Sequence, residues 1–393
     1  MAEVKGSFKD GTLTVYVEGK IDSVNAAQFE ADIKNIRSEY PDGGMVMDIE
    51  NLEYTSSAGL RVFLRTAKSE KNFKVINASA EVYEIFDMTG FSEIMDISKA
   101  YRKFSVEGCK VIGKGAKGTV YRLDGDTIIK VYNDPESLPS IKRERELARE
   151  AFVLGVPTAI PYDVVKVGDS YGSVFELLNA EAFSDLMKSD AGNFDKYVYI
   201  YADLLKQIHD TKVRPGIMPD IKILINKWLE QCKSVLEPAD YEKLVKLVDE
   251  TPDTDNMLHG DYHTNNIMMQ NGEALIIDMD TLSHGHPVFE LASVYITYVG
   301  FGEVDKSNVE GFIGLPYEKA KEIWTLFLPR YLGTDDPAKI ADVEEKTRLM
   351  AMVRLMRHYL RRGAMDTEEG RKIIEYSKNA IHELLQKIDT LVF

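Results

Sequence analysis

The stretch MLHGDYHTNNIMMQNGEALIIDMD, Met257 to Asp280, sets Asp261, Asn266 and Asp278 among residues that otherwise read as a pair of short apolar strands. Two carboxylates and an amide brought together across a hairpin make a hard oxygen-ligand site. Such a site suits Mg2+, which keeps several waters and takes its remaining ligands from phosphates. A zinc site on His259 and His263 is the rival, and it fails on its own terms. HGDYH lacks the glutamate of the zinc helix motif, and Gly260 disfavours a helix there. His259 then reads as a scaffold residue of the loop and His263 as local support. Asp280 reads as the capping residue of a turn.

A second feature with an affinity for phosphates lies upstream, in VIGKGAKGTVYRLDGDTIIKVY. Gly113, Gly115 and Gly118 read G-x-G-x-x-G, a spacing that dinucleotide and phosphate sites share. A dinucleotide turn opens a helix, whereas TVYRL alternates as a strand and TIIKVY returns antiparallel with Lys130 inside it. A glycine hairpin of this kind lets backbone N–H groups approach phosphates, and Lys130 supplies a point charge to them. A buried-flank lysine needs a carboxylate. The next helix, SLPSIKRERELAREAFVLG, started by Ser137 or Ser140 and stopped at Gly155, offers Glu144, Glu146 and Glu150. Without that need it is a solvated face of i,i+4 pairs.

Other elements must hold these groups in place. YGSVFELLNA is an apolar strand running into polar residues, which suits a hinge between two lobes. Beyond it the chain is mainly helical. NFDKYVYIYADLLKQIHDT carries Tyr197, Ile200, Tyr201, Leu204, Leu205 and Ile208 on one face, and amphipathic segments continue to Phe393. Met350, Met352 and Met356 read as core packing.

The first hundred residues follow a different order. GTLTVYVEG alternates Leu13, Val15 and Val17 as a half-buried strand, and the helix SVNAAQFEADIKNIRSEY places Ala27, Ala31, Ile33 and Ile36 at helical spacing. MVMDIENL is a strand, SSAGLRVFLRTAKSE a helix behind a Ser56 or Ser57 cap, FKVINA a strand, and SAEVYEIFDMTGF a helix closed by Gly90. Alternation of strand and helix implies crossover connections and a parallel or mixed sheet.

Over roughly Lys5 to Tyr101 this order, with NLEYTSSAGLRVF and IFDMTGFSEIMDI, resembles the STAS domain of anti-sigma-factor antagonists. In that family a partner kinase phosphorylates the serine before the small-Gly-Leu step, which by alignment is Ser57; Ser56 stands where many members carry Asp. A phosphate there would lie at a helix N-terminus. The resemblance implies an anti-sigma factor or another protein as partner.

From Val106 to about Val299 the chain resembles the aminoglycoside phosphotransferase and choline kinase superfamily, on LLKQIHDT, LHGDYHTNNIM and IIDMD. H-G-D-x-x-x-x-N followed by I-I-D matches that family's catalytic loop, with Gly260 where protein kinases carry Arg. The resemblance implies ATP and Mg2+, Asp261 as the base on an acceptor hydroxyl, Asn266 and Asp278 on metal, and Lys130 on the α and β phosphates. Counting back from GVPTAIP favours Glu144 as the partner of Lys130. Backbone groups of Glu176 to Leu178 would meet the adenine edge, and Glu290 in HPVFELA stands where relatives often have a loop-anchoring Asp. The implied fold is an α/β N-terminal STAS domain, residues 1–104, plus an α+β bilobal protein-kinase-like domain, residues 105–393, whose lobes divide near 178.

Composition narrows the function. The 393 residues carry 64 acidic against 48 basic side chains, a net charge of −16. That excludes a general nucleic-acid or anionic-membrane binder and fits a cytoplasmic enzyme or one with a cationic substrate. Cys109 and Cys232 are too few for a disulfide framework. No apolar run reaches ~18 residues, so no membrane insertion is expected. Together with the resemblance, these observations predict an ATP-dependent kinase of small hydroxyl compounds, aminoglycoside-, choline- or sugar-like, under a STAS regulatory or interaction domain. The alternative is a signalling switch that phosphorylates a protein serine such as Ser57.

Overall fold

The computed structural model describes residues 2–115 and 117–393. In its first unit, β1 (Glu3–Lys9) and β2 (Thr12–Ile21) form an antiparallel hairpin turned at Asp10 and Gly11, both with positive φ. The sheet continues in parallel through β3 (Gly44–Thr55), β4 (Lys74–Ala78) and β5 (Asp96–Lys99), in the order β1-β2-β3-β4-β5. Alternation in β2 buries Leu13, Val15 and Val17 as their spacing requires. Helices α1 (Ala26–Glu39), α2 (Ser57–Ser69) and α3 (Ala80–Met88) form the crossovers. Their aromatic rings close the core, with Phe63 at 5.7 Å from Phe29 and 5.1 Å from Phe86.

The inward face of α1 is not the one that the Ala27 and Ala31 spacing indicates. Ala26, Phe29 and Ile33 are buried, whereas Ala27 and Ala31 are exposed. Phe29 decides this, because its ring has far more apolar surface to remove from water than two alanine methyls.

The second unit spans Ser105–Phe393. Its antiparallel strands run in the order Pro161–Val167, Ser170–Glu176, Thr127–Tyr132, Gly118–Arg122, Lys110–Lys114. The helix Leu138–Val153 buries Ile141, Glu144, Leu147, Ala148 and Ala151. Ser137 occupies its N-cap position without a side-chain bond, and Ser140 lies inside the helix. Asp134 caps the preceding turn instead, accepting from the Glu136 N–H at 2.9 Å. Gly155, at φ +86, follows its C-terminal end.

The C-terminal lobe packs its helices around an apolar core that includes Met350, Met352 and Met356, each 3% exposed or less. Tyr201 and Tyr262 stack at 4.6 Å in that core. Each hydroxyl donates to the other residue's carbonyl, at 3.1 and 2.6 Å. Helix Phe194–Asp210 thereby holds the middle of the HGDYHTNN loop. Among the described residues no helix is long and apolar enough to cross a membrane.

Gly59 fixes the start of α2. A Cβ there would meet Thr55 Oγ1 at 2.4 Å and Ile21 Cγ2 at 2.6 Å, and both neighbours are short, β-branched and held in strands. Gly59→Ala should destabilise the first unit by ~1–3 kcal/mol through overpacking. Thermal unfolding of the full chain would show an early transition moving to lower temperature. An unchanged transition would contradict this packing.

Candidate active site

Strand alternation buries Ile129 and leaves Lys130 on the opposite face, toward helix Leu138–Val153. The Lys130 ammonium lies 2.9 Å from Glu144 Oε1 and 3.0 Å from Asp278 Oδ1. Of the three glutamates on the helix, Glu144 alone faces the lysine. Glu146 is exposed, and Glu150 pairs with Arg214 at 2.6 Å. Glu144 is 4% exposed and also accepts from the Tyr132 hydroxyl at 2.6 Å. Burial pulls the Lys130 ammonium toward neutrality, but the Glu144 and Asp278 carboxylates outweigh it and hold its pKa above the ordinary lysine value.

Among the glycines of the hairpin, Gly118 is sterically required. A Cβ there would stand 2.3 Å from the Val131 carbonyl oxygen, which is backbone and cannot yield. Gly115 N–H donates to the Gly118 carbonyl at 2.9 Å and closes the turn, and Gly113 lies in the strand before it. Lys117, in the same turn, forms an ion pair with Asp280. Asp280 therefore holds the glycine turn to the loop after Asp278, a charge contact and not the backbone cap expected of it. At the hinge, Glu176 N–H donates to Ile160 O at 3.0 Å and Leu177 N–H to Asp126 O at 2.7 Å. Those two donors are thus held within the lobe, and Leu178 follows them.

The HGD turn depends on Glu290, which is 2% exposed. Its carboxylate accepts from His259 N–H at 2.7 Å, from Gly260 N–H at 2.5 Å, and from the His209 imidazole at 3.0 Å. Gly260 has φ +84, and a Cβ on it would meet Thr281 O at 2.6 Å, so the turn admits only glycine. His259 is fully buried, with Nε2 at 3.2 Å from the Ile277 carbonyl, and Thr281 Oγ1 donates to His259 O at 2.7 Å. The HGD turn is thus tied to the segment that carries Asp278.

Asn266 completes the connection. Its Nδ2 donates to Asp261 O at 3.0 Å, and its own carbonyl accepts from Ile277 N–H at 2.9 Å. The amide oxygen then points away from Asp261. With the Asp278 carboxylate, held at φ +64, it offers hard oxygen donors without sulfur or imidazole, a set that fits Mg2+.

Asp261 keeps 46% of its side chain exposed at the tip of the loop. His263 Nε2 lies 3.4 Å from it, and Arg354, from helix Pro337–Leu360, lies 3.7 Å from it. Partial burial raises its pKa, whereas His263 and Arg354 lower it further, so the carboxyl titrates below the ordinary aspartate value. Arg354 also donates to Gly260 O at 3.4 Å. Sequence reading missed Arg354 and Lys117, whose partners lie far along the chain. The 3–4 spacing of basic residues in RLMRHYLRR was the available signal for Arg354.

Glu290→Gln should destabilise the second unit by ~2–4 kcal/mol at pH 7, since three donors, two of them fully buried, lose a charged acceptor. Burial would raise the Glu290 carboxyl, but His209, His259 and the loop N–H hold it below the ordinary glutamate value. A depressed folded-state pKa gives stability that is present above the unfolded value of ~4.3 and lost as pH falls through the folded one. The gap between wild type and variant in denaturant unfolding should therefore narrow below about pH 4. A gap independent of pH would contradict an ionised Glu290.

Residues 108–318, more than half of the chain, match the model of the phosphotransferase enzyme family, and residues 4–104 match that of the STAS domain. BtrV of Bordetella bronchiseptica, a candidate anti-sigma factor antagonist, is 32% identical over 95 residues, covering 23% of this chain and 81% of BtrV. A choline/ethanolamine kinase family protein from Mesorhizobium loti is similar in structure, with a TM-score of 0.44 at 16% identity over 71% of this chain and 88% of that one. ADP-bound aminoglycoside phosphotransferase APH(2'')-Ib gives 0.45 at 17% identity over 73% and 97%. The chain belongs to the phosphotransferase enzyme family and carries a STAS domain at its N-terminal end.

Proposed function

We propose that the second unit transfers the γ-phosphoryl group of ATP to a hydroxyl of a small molecule. The observation that carries this reading is the convergence of Lys130, Glu144 and Asp278 at 2.9 and 3.0 Å, on a loop tied through His259 to the turn that carries Asp261. Lys130, oriented by Glu144, meets the α and β phosphates. Backbone N–H groups of the hairpin that carries Gly113, Gly115 and Gly118 lie over the phosphates, and the backbone from Glu176 to Leu178 meets the adenine edge. Asn266 and Asp278 hold Mg2+. When bound, that ion neutralises charge on the β and γ phosphate oxygens.

Asp261 orients the acceptor hydroxyl and receives its proton as the acceptor oxygen bonds to the γ-phosphorus. The bond from that phosphorus to the β–γ bridging oxygen breaks, and ADP leaves with the electron pair. A carboxylate held below its usual pKa is a weak base, so positioning carries most of its contribution, as a loose transition state requires. The first unit then serves as a regulatory or interaction domain, with an anti-sigma factor as the partner class.

A protein serine is the second acceptor to consider. Ser57 is exposed in the first turn of α2, while Ser56 caps the helix by accepting from Gly59 N–H at 3.4 Å. A phosphate on Ser57 would meet the free N–H groups of that turn.

ATP consumption by wild type and Asp261→Ala over a panel of hydroxyl compounds, with mass spectrometry of both products and protein, separates the readings. Acceptor-dependent turnover falling ~100-fold or more in the variant is the expected result. Phosphate on the protein that disappears in Ser57→Ala, with no acceptor turned over, would replace it with the second reading.

A further inference from the structure

Arg354 belongs to a longer row of basic residues on helix Pro337–Leu360. Arg354, Arg357, His358 and, at the C-cap, Arg361 recur at i, i+3, i+4 and i+7, one face of a helix. Arg354 is the end of this row that touches Asp261, and it stands 5.5 Å from the centre of the Trp228 ring. Arg357 lies over the same ring at 4.8 Å, and its Nε donates to Gln231 at 2.8 Å. Arg362 adds a fourth guanidinium, within 3.0 Å of the His358 ring. The indole N–H of Trp228 is buried without a hydrogen-bond partner.

These cations face one another. Burial first, then Arg361 and Arg354, depress the Arg357 guanidinium, and no carboxylate is among the charges acting on it. Burial and the four arginines push His358 down to about 4. Among the described residues no carboxylate forms an ion pair with Arg357, Arg361 or Arg362. In a chain of net charge −16, acidic partners are abundant, yet this row has none beyond Asp261. Uncompensated like charges one turn apart cost stability. An arginine fork matches the oxygens of a carboxylate or phosphate.

We propose that this row is an anion site for the acceptor: the substrate is a small hydroxyl compound carrying a carboxylate or a phosphate. Its hydroxyl lies at Asp261 and its anionic group on Arg357 and Arg361. The proposal rests on the reading of Asp261 as the group that meets the acceptor. The helix rise of 1.5 Å per residue puts Arg361 ~10 Å beyond Arg354, a separation that one small molecule spans. The sign is opposite to the cationic substrate that the global net charge fits. Global charge governs the field at a distance, whereas the side chains that line a site govern what docks in it.

Trp228 provides a readout that needs no turnover. In the Trp324→Phe background of the full chain, with ADP saturating the nucleotide site, Trp228 fluorescence is followed during titration with inorganic phosphate, malonate or choline at constant ionic strength. A saturable change with phosphate or malonate and none with choline is expected; the stronger of the two identifies the anionic group. Loss of a charge-assisted contact should weaken that response roughly tenfold or more in Arg361→Gln, an exposed position that spares the fold, and in Arg357→Gln. Arg357→Lys should retain part of it. Asp261→Asn should leave anion binding intact, so the anion site and the catalytic reading can fail separately. No saturable response to either anion, a response in Arg361→Gln and Arg357→Gln as strong as that of wild type, or a preference for choline would overturn the proposal.

Discussion

An ammonium group taken largely out of water sets the terms for the second unit. Lys130 keeps only 18% of its side chain exposed, and Glu144 only 5%. Removing one such ion from water costs several kcal/mol unless an opposite charge and hydrogen bonds replace its hydration. Glu144 supplies the first carboxylate from the helix packed on the sheet, and Asp278 the second from the loop after the hairpin. One cation therefore obliges the sheet, the helix and the C-terminal lobe to meet at a single point. Tyr132, whose hydroxyl donates to Glu144, fills the remaining acceptor on the buried side.

A second buried charge fixes the rest of the site. Glu290 gathers two successive backbone N–H groups of the HGD turn and the His209 imidazole, which in turn meets the Tyr331 hydroxyl at 2.6 Å. A glutamate does here what a shorter aspartate would do only if the helix stood nearer the loop. The turn it holds is strained in a way only Gly260 tolerates, so loop, anchor and glycine are one device. Asp261, at its tip, stays partly exposed while its backbone is held from below.

Much of this fold is legible along the chain. Period-two alternation in GTLTVYVEG and in TVYRL, broken by glycine turns, yields strands, and strands separated by helical runs yield the mixed sheet of the first unit. The glycine hairpin and the lysine strand are separated by few residues, so local chemistry identifies them. What sequence order cannot carry is which of several equivalent groups reaches a distant partner. Arg354 lies 94 residues from the Gly260 carbonyl it touches, and Lys117 lies 163 from Asp280. Ala27 and Ala31 show the same limit at short range, because the ring of Phe29, which only the packed core rewards, rotates α1 away from their spacing.

Lys130 and Asp278 pair at 3.0 Å, and the proposed phosphoryl transfer requires them to part around nucleotide phosphates and metal. A crystal structure of the full chain with Mg2+ and a non-hydrolysable ATP analogue tests that most directly. The predicted result keeps Lys130 on Glu144, places the α and β phosphates on Lys130, and turns Asp278 with Asn266 onto the metal. An analogue bound elsewhere, with the Lys130–Asp278 pair intact and Asp278 away from any metal, would contradict it.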